Sequence, residues 1–175
     1  DLAQNPEINL LIERELKRAR FAGEGGGQHF IPRREVPELL DALRQMYRGR
    51  DLVLSADDLP DVTLPLDHED MLELLGNLLD NACKWARRRV ELAMVLDEVL
   101  RITVSDDGPG VPEGERLSLL RRGGRLDEQE AGHGLGLAIV KDLVADYGGT
   151  MALSASPRLG GLQVRVTLPL HRHAA

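Results

Sequence analysis

The sequence predicts an α+β fold, a two-layer sandwich with helices on one face of a mixed, mostly antiparallel sheet. Three observations predict it. Val90-x-Leu92-x-Met94-x-Leu96 and Leu100-x-Ile102-x-Val104 alternate as strands, with Asp97-Glu98 between them reading as a hairpin. Leu162-x-Val164-x-Val166-x-Leu168 alternates in the same way near the end of the chain. Apolar residues at helical spacing occupy much of the remaining sequence. The 175 residues suffice for a single core, because a domain near this size buries roughly 70% of its unfolded surface.

Taken in order, residues 7–23 place Ile8, Leu11, Ile12, Leu16 and Ala19 on one helical stripe, and the glycine-rich run 23–28 ends it as a flexible junction. Residues 36–48 predict a second helix, entered through Pro37 and closed by Gly49. Two short extended runs follow, 51–55 and 62–65. Asp67 is a good N-cap, with Glu69 and Asp70 in the first turn, for a longer helix that runs to about Ala86. The hairpin comes next. From Asp106 to Gly134 regular pattern is lost, and so long a stretch inside a compact domain marks a lid or binding loop. A helix over 135–147 stops at Gly148-Gly149, and strands over 151–155 and 162–168 close the chain around a Pro-Arg-Leu-Gly-Gly turn.

Composition narrows the function classes. With 42% hydrophobic and 29% charged residues, the chain is not a disordered tail or a low-complexity array. No apolar run approaches the ~20 residues of a membrane span. The single cysteine, Cys83, excludes a disulfide framework and a cysteine-built metal site, and points to a reducing compartment. A net charge of −7 argues against a nucleic-acid or anionic-membrane binder. The first residue is Asp rather than Met, so a piece of a longer protein is expected, with an upstream membrane anchor left open.

The helix from Asp67 is the most informative segment. At about 100° per residue, Glu73, Asn77, Asp80, Asn81 and Lys84 share one arc, with Leu72, Leu74, Leu75, Leu78, Leu79 and Ala82 opposite. Asparagine is a poor helix former, disfavoured by roughly half a kcal/mol against Ala, so two of them at i and i+4 call for a reason. Carboxamide oxygens are neutral ligands suited to a hard cation such as Mg²⁺, and Lys84 can neutralise a phosphate as a point charge. The bland alternative is a solvated polar stripe.

Asp106-Asp107-Gly108-Pro109-Gly110 follows a strand directly. A buried carboxylate there can accept from an exocyclic amine, and the glycines let a flat ring approach the backbone. Adenine carries that amine and guanine a carbonyl, so Asp106 should discriminate between them. A plain turn is the alternative. Gly132-His133-Gly134-Leu135-Gly136-Leu137 opens the next helix and exposes amide donors at its positive end, a ready anion site. Its G-x-G-x-G spacing, after a loop rather than a strand, is not a dinucleotide fingerprint.

Together the three segments resemble the ATP-binding domain of sensor histidine kinases, in the GHKL (Bergerat-fold) group that also includes gyrase B, Hsp90 and MutL. The N box is Glu73-x-x-x-Asn77-x-x-x-Asn81-Ala82-x-Lys84, the first glycine box Asp106-x-Gly108-x-Gly110, and the second Gly132-x-Gly134-x-Gly136-Leu137. NLLDNACKW, SDDGPGVP and RRGGRLDE are similar to PhoQ-type kinases within that family. The resemblance implies that Asn77 binds Mg²⁺, that Asn81 and Lys84 contact the phosphates, and that Asp106 holds the adenine amine of ATP. Trp85 stands where the family usually has Tyr or Phe; it either lies against the adenine or fills the core edge. In the lid, Arg122 and Arg125 match phosphate-reaching positions, with a solvated surface role as the alternative.

The resemblance also implies a division of the chain. Residues 1–26 would be the end of a dimerisation and phosphotransfer hairpin with its linker, 27–170 the catalytic ATP-binding domain and 171–175 a tail. None of His29, His68, His133, His171 and His173 sits like a phosphoacceptor. His68-Glu69 copies the acceptor's His-acidic pair but lies on the same helix as Asn77, too close to swing into line. Binding of Mg·ATP without autophosphorylation is therefore expected. Implied partners are an acceptor helix in the same protein or its dimer mate, a response regulator, and no nucleic acid. The implied location is the cytoplasmic side of a membrane-anchored sensor. Glu73 leaves a rival open, an ATPase of the gyrase, Hsp90 or MutL kind, in which that glutamate activates water. A nucleotide-binding regulatory module without catalysis and a serine kinase of the anti-sigma-factor kind are further alternatives.

Overall fold

A computed structural model describes residues 29–121 and 134–170, with residues 121, 134 and 135 described by backbone alone. The helix expected over 7–23, its glycine junction, the tail, and the site residues Arg122, Arg125, Gly132 and His133 lie outside the described residues.

The described elements are α1 (Pro32–Met46), β1 (Val53–Ala56), α2 (His68–Trp85), β2 (Arg89–Leu96), β3 (Val99–Asp106), α3 (Glu113–Arg121), α4 (Gly134–Asp146), β4 (Thr150–Ala155) and β5 (Leu162–Pro169). The strands form one sheet in the order β1-β2-β3-β5-β4. Only the β1–β2 pair is parallel. Alternation sets the sheet's two faces. Val90, Leu92, Met94, Leu100, Ile102, Val104, Leu162, Val164, Val166 and Leu168 are buried beneath the helices, while Ala93, Val95, Arg101 and Arg165 on the other face are exposed.

Three expectations change. α1 begins at Pro32, not Val36. Pro32 is preset for a first helical turn, and the Glu35 carboxylate reaches back to accept from Ile31 N–H at 2.6 Å, so the start moves upstream and Pro37 is carried inside the helix. The run 62–65 contributes a single bridge, Leu64 to Phe30, because the next antiparallel pair would set Pro32 opposite Val62, and Pro32 has no N–H to give and already opens α1. A helix, α3, lies within the stretch that has no sequence pattern. Leu119 is its buried apolar anchor and Leu117 faces solvent, so no apolar stripe announces it.

Cys83 is buried in the core, and burial pushes its thiol up to about 11, which makes it a packing residue rather than a nucleophile. His68 pairs with Glu35, the carboxylate that also caps α1, so its role is to join α1 to α2.

Candidate functional site

The site gathers on α2. Asp67 caps the helix by accepting from Asp70 N–H at 2.8 Å. Leu74, Leu75, Leu78, Leu79 and Ala82 root it in the core, while Glu73, Asn77 and Asp80 sit at the boundary, Lys84 is exposed and Asn81 is buried. Asn77 Nδ2 donates to the Glu73 carbonyl at 2.7 Å, which fixes the carboxamide and leaves Oδ1 as an acceptor. A Cβ at Gly136 would lie 3.6 Å from that Oδ1, so the first turn of α4 runs against Asn77. The amide face and the glycine mouth, far apart in sequence, are thus adjacent. Lys84 leans back along α2 to pair with Asp80 at 3.1 Å.

Asp106 terminates β3 and is only 3% exposed. Its Oδ1 accepts from Gly108 N–H at 2.9 Å and from Leu162 N–H at 3.3 Å; among the described residues Oδ2 accepts no hydrogen bond. Burial raises its pKa above the ordinary aspartate range, and Asp107 adds to the rise, while the Gly108 and Leu162 amides oppose it. Backbone crowds this carboxylate on two sides. A Cβ on Gly108 would sit 2.3 Å from the Trp85 carbonyl oxygen, and one on Gly161 would sit 2.3 Å from Asp106 Oδ1. Only glycine fits either position. Trp85, half-buried at the end of α2, is therefore brought beside the Asp106–Gly108 loop, and Gly110 follows in a left-handed conformation at φ 73°.

Gly161 and Leu162 escaped the sequence reading. The glycine pair signalled a turn, but its second member also donates from N to the Asp106 carbonyl at 3.1 Å, and the next residue holds the carboxylate. Asp107 has a different task from its neighbour. Burial raises its pKa, but accepting from the amides of Arg88, Arg89 and Arg87 outweighs this and leaves it low, so it anchors the α2–β2 link. Leu137 is buried on α4, whereas Gly134 and Leu135 are placed by backbone alone. No group of three His, Cys, Asp or Glu suited to a metal occurs among the described residues.

A buried acid with one open oxygen, a fixed carboxamide, and a helix start against that carboxamide make a site for a ligand with an amine at one end and anionic groups at the other. In an α/β sandwich this defines a nucleotide-binding domain of the ATPase and kinase class. Residues 66–172 match the histidine kinase-, DNA gyrase B-, and HSP90-like ATPase family, and the chain belongs to it. It is 48% identical over 171 residues to the sensor protein kinase CarS of Pseudomonas aeruginosa, covering 97% of this chain and 38% of CarS. Against the virulence sensor histidine kinase PhoQ of Salmonella typhimurium it is 37% identical over 173 residues, covering 94% of this chain and 34% of PhoQ. The ATP-binding domain of PrrB from Mycobacterium tuberculosis superposes with a TM-score of 0.63 at 29% identity, over 77% of this chain and 90% of that one. The domain is homologous to sensor histidine kinase ATP-binding domains, and the chain spans little more than a third of the curated relatives' length.

Proposed function

We propose that this chain is the Mg·ATP-binding catalytic domain of a two-component sensor histidine kinase. The γ-phosphoryl would leave the β–γ bridging oxygen of ATP and bond to an imidazole nitrogen of a phosphoacceptor histidine, with ADP departing. That histidine would lie on a helical hairpin of the same protein or its dimer mate, and a response regulator would take the phosphoryl next. The full protein would then be a homodimer with this domain on the cytoplasmic side of a membrane.

Asp106 carries the reading. Its open Oδ2 suits the adenine amine, and a guanine carbonyl would set two acceptors against each other. At the other end Asn77 Oδ1 would hold Mg²⁺. The donor set fits a hard cation that takes its remaining oxygens from phosphate and water, since Asn77 offers a neutral oxygen and its amide N–H is already engaged. An ion held there would supply charge neutralisation on the phosphate oxygens. Lys84 and Asn81 would contact the phosphate chain beside the α4 N-terminus. Gly132, His133, Arg122 and Arg125 would complete the mouth. Catalysis by these groups is positioning plus charge stabilisation.

Titration with ATP and GTP, with and without Mg²⁺, tests this, with Trp85, the sole tryptophan, as a fluorescence reporter. Tight binding should need ATP and Mg²⁺ together and should be lost in Asn77→Asp. Equal GTP affinity would refute the assignment of Asp106. Glu73, one turn before Asn77 on the same arc, supports the ATPase reading that the family also contains. A large loss of steady hydrolysis in Glu73→Ala, with ATP affinity kept, would favour it; the sensor-kinase names of the relatives favour phosphotransfer.

A further inference from the structure

Among the described residues Asp80 has a partner on each carboxylate oxygen. The Tyr47 hydroxyl donates to Oδ1, and Lys84 Nζ pairs with Oδ2 at 3.1 Å. Tyr47 also reaches the Asp80 carbonyl at 3.4 Å, so it touches this residue twice. Its own position is fixed. Tyr47 N–H donates to the Leu43 carbonyl at 3.0 Å, and three residues on Arg50 donates to the carbonyls of Cys83 and Ala86. The segment after α1 is thus fastened to the last turn of α2, and Asp80 is held from that side.

This arrangement bears on Lys84. An unrestrained lysine samples many rotamers, and ordering it opposes any contact it makes. Seen down the α2 axis at about 100° per residue, Lys84 lies about 20° from Asn77 and Asp80 about 60° from it. Pairing with Asp80 draws the ammonium roughly one turn back along the axis, nearer the level of Asn77, and holds it on the Asp80 side of the arc, about 60° round from Asn77. An ammonium has three donors, and the pair with Asp80 leaves others for a second acceptor.

We propose that Asp80, fixed by the Tyr47 hydroxyl, is a positioning residue that presents the Lys84 ammonium to the polyphosphate of the bound nucleotide. It rests on the reading of Lys84 as a phosphate contact. Asp80→Asn keeps the side-chain shape and an acceptor for Tyr47 but removes the charge that holds Lys84.

The test compares ATP and adenosine affinities, by calorimetry, for the chain and its Asp80→Asn, Tyr47→Phe, Lys84→Ala and Asp80→Asn/Lys84→Ala variants. Asp80→Asn should weaken ATP binding about three- to tenfold, the range expected for one newly unrestrained side chain, and leave adenosine unchanged. It should add no loss in the Lys84→Ala background. Tyr47→Phe should move ATP affinity in the same direction by less, and serves as the test should Asp80→Asn fold poorly. Equal losses for ATP and adenosine, a full additional loss without Lys84, or tighter ATP binding by Asp80→Asn would each overturn the proposal. ATP affinity unchanged by Lys84→Ala would overturn it together with the phosphate role of Lys84. A normal Lys84→Ala loss with a failed cycle would overturn the positioning role alone.

Discussion

Asp106 carries its charge against its surroundings. Burial raises its pKa, and two backbone amides on one oxygen do not fully offset that. Its folded pKa therefore exceeds the unfolded one, so between the two values the folded state binds the extra proton and stability falls as pH rises through that window. In the proposed role ligand binding should have the opposite dependence, because the protonated acid would lose the charged acceptor offered to the adenine amine. Asp106→Asn should then separate the two properties. At neutral pH its Tm should equal or exceed that of the parent, since a carboxamide oxygen can accept from the same Gly108 and Leu162 amides without the desolvated charge. Its ATP affinity should fall about ten- to a hundredfold, the worth of roughly 1.5–3 kcal/mol for a charged hydrogen bond. In the parent, affinity should weaken on acidification with a midpoint above the ordinary aspartate range. Thermal scans and titrations across pH read both, and an Asn variant that lost stability and affinity in parallel would mark Asp106 as scaffold alone.

At the scale of elements, α2 is held at both ends by side chains. Asp67 satisfies the first turn, and Arg50 meets the last carbonyls, donating to Cys83 O at 2.6 Å, to Lys84 O at 3.4 Å and to Ala86 O. A cation at that end also complements the helix dipole. Because the same turn carries Lys84 and Trp85, whose carbonyl lies against Gly108, the cap steadies the site as well as the helix. Arg50→Ala should cost about 1–2 kcal/mol and lower Tm by about 3–6 °C, with the exposed guanidinium at the modest end of charged hydrogen bonds. Nucleotide affinity should weaken by a smaller factor. Calorimetric unfolding and an ATP titration of one variant test both, and an unchanged Tm would show that water caps those carbonyls equally well.

For the whole molecule, what could be read from the chain was whatever has a local cause. α2 was legible in its cap, its leucine stripe and its two costly asparagines; β2, β3 and β5 were legible because strict alternation needs one buried face. α3 was not, having Leu119 buried and Leu117 exposed in place of a stripe. The seat of Asp106 was hidden for a different reason. Gly161 and Leu162 reach it only because β5 pairs with β3, Ser105 opposite Gln163, and nothing near residue 106 encodes that register. Sheet register thus carries part of the site, and the fully buried Ile102 lies midway along β3, opposite Val166 of β5 and Met94 of β2. Ile102→Ala should cost about 2–5 kcal/mol through lost transfer energy and the cavity left behind. Tm should fall by about 5–15 °C, with the denaturant m-value unchanged for a cooperative domain. ATP affinity well below the transition should stay within about twofold, because backbone ladder bonds on both sides of β3, not the Ile102 side chain, hold Asp106 in register. Affinity lost at a temperature where the variant is still fully folded would instead mean that core packing under β3, and not its pairing, sets the position of the acid.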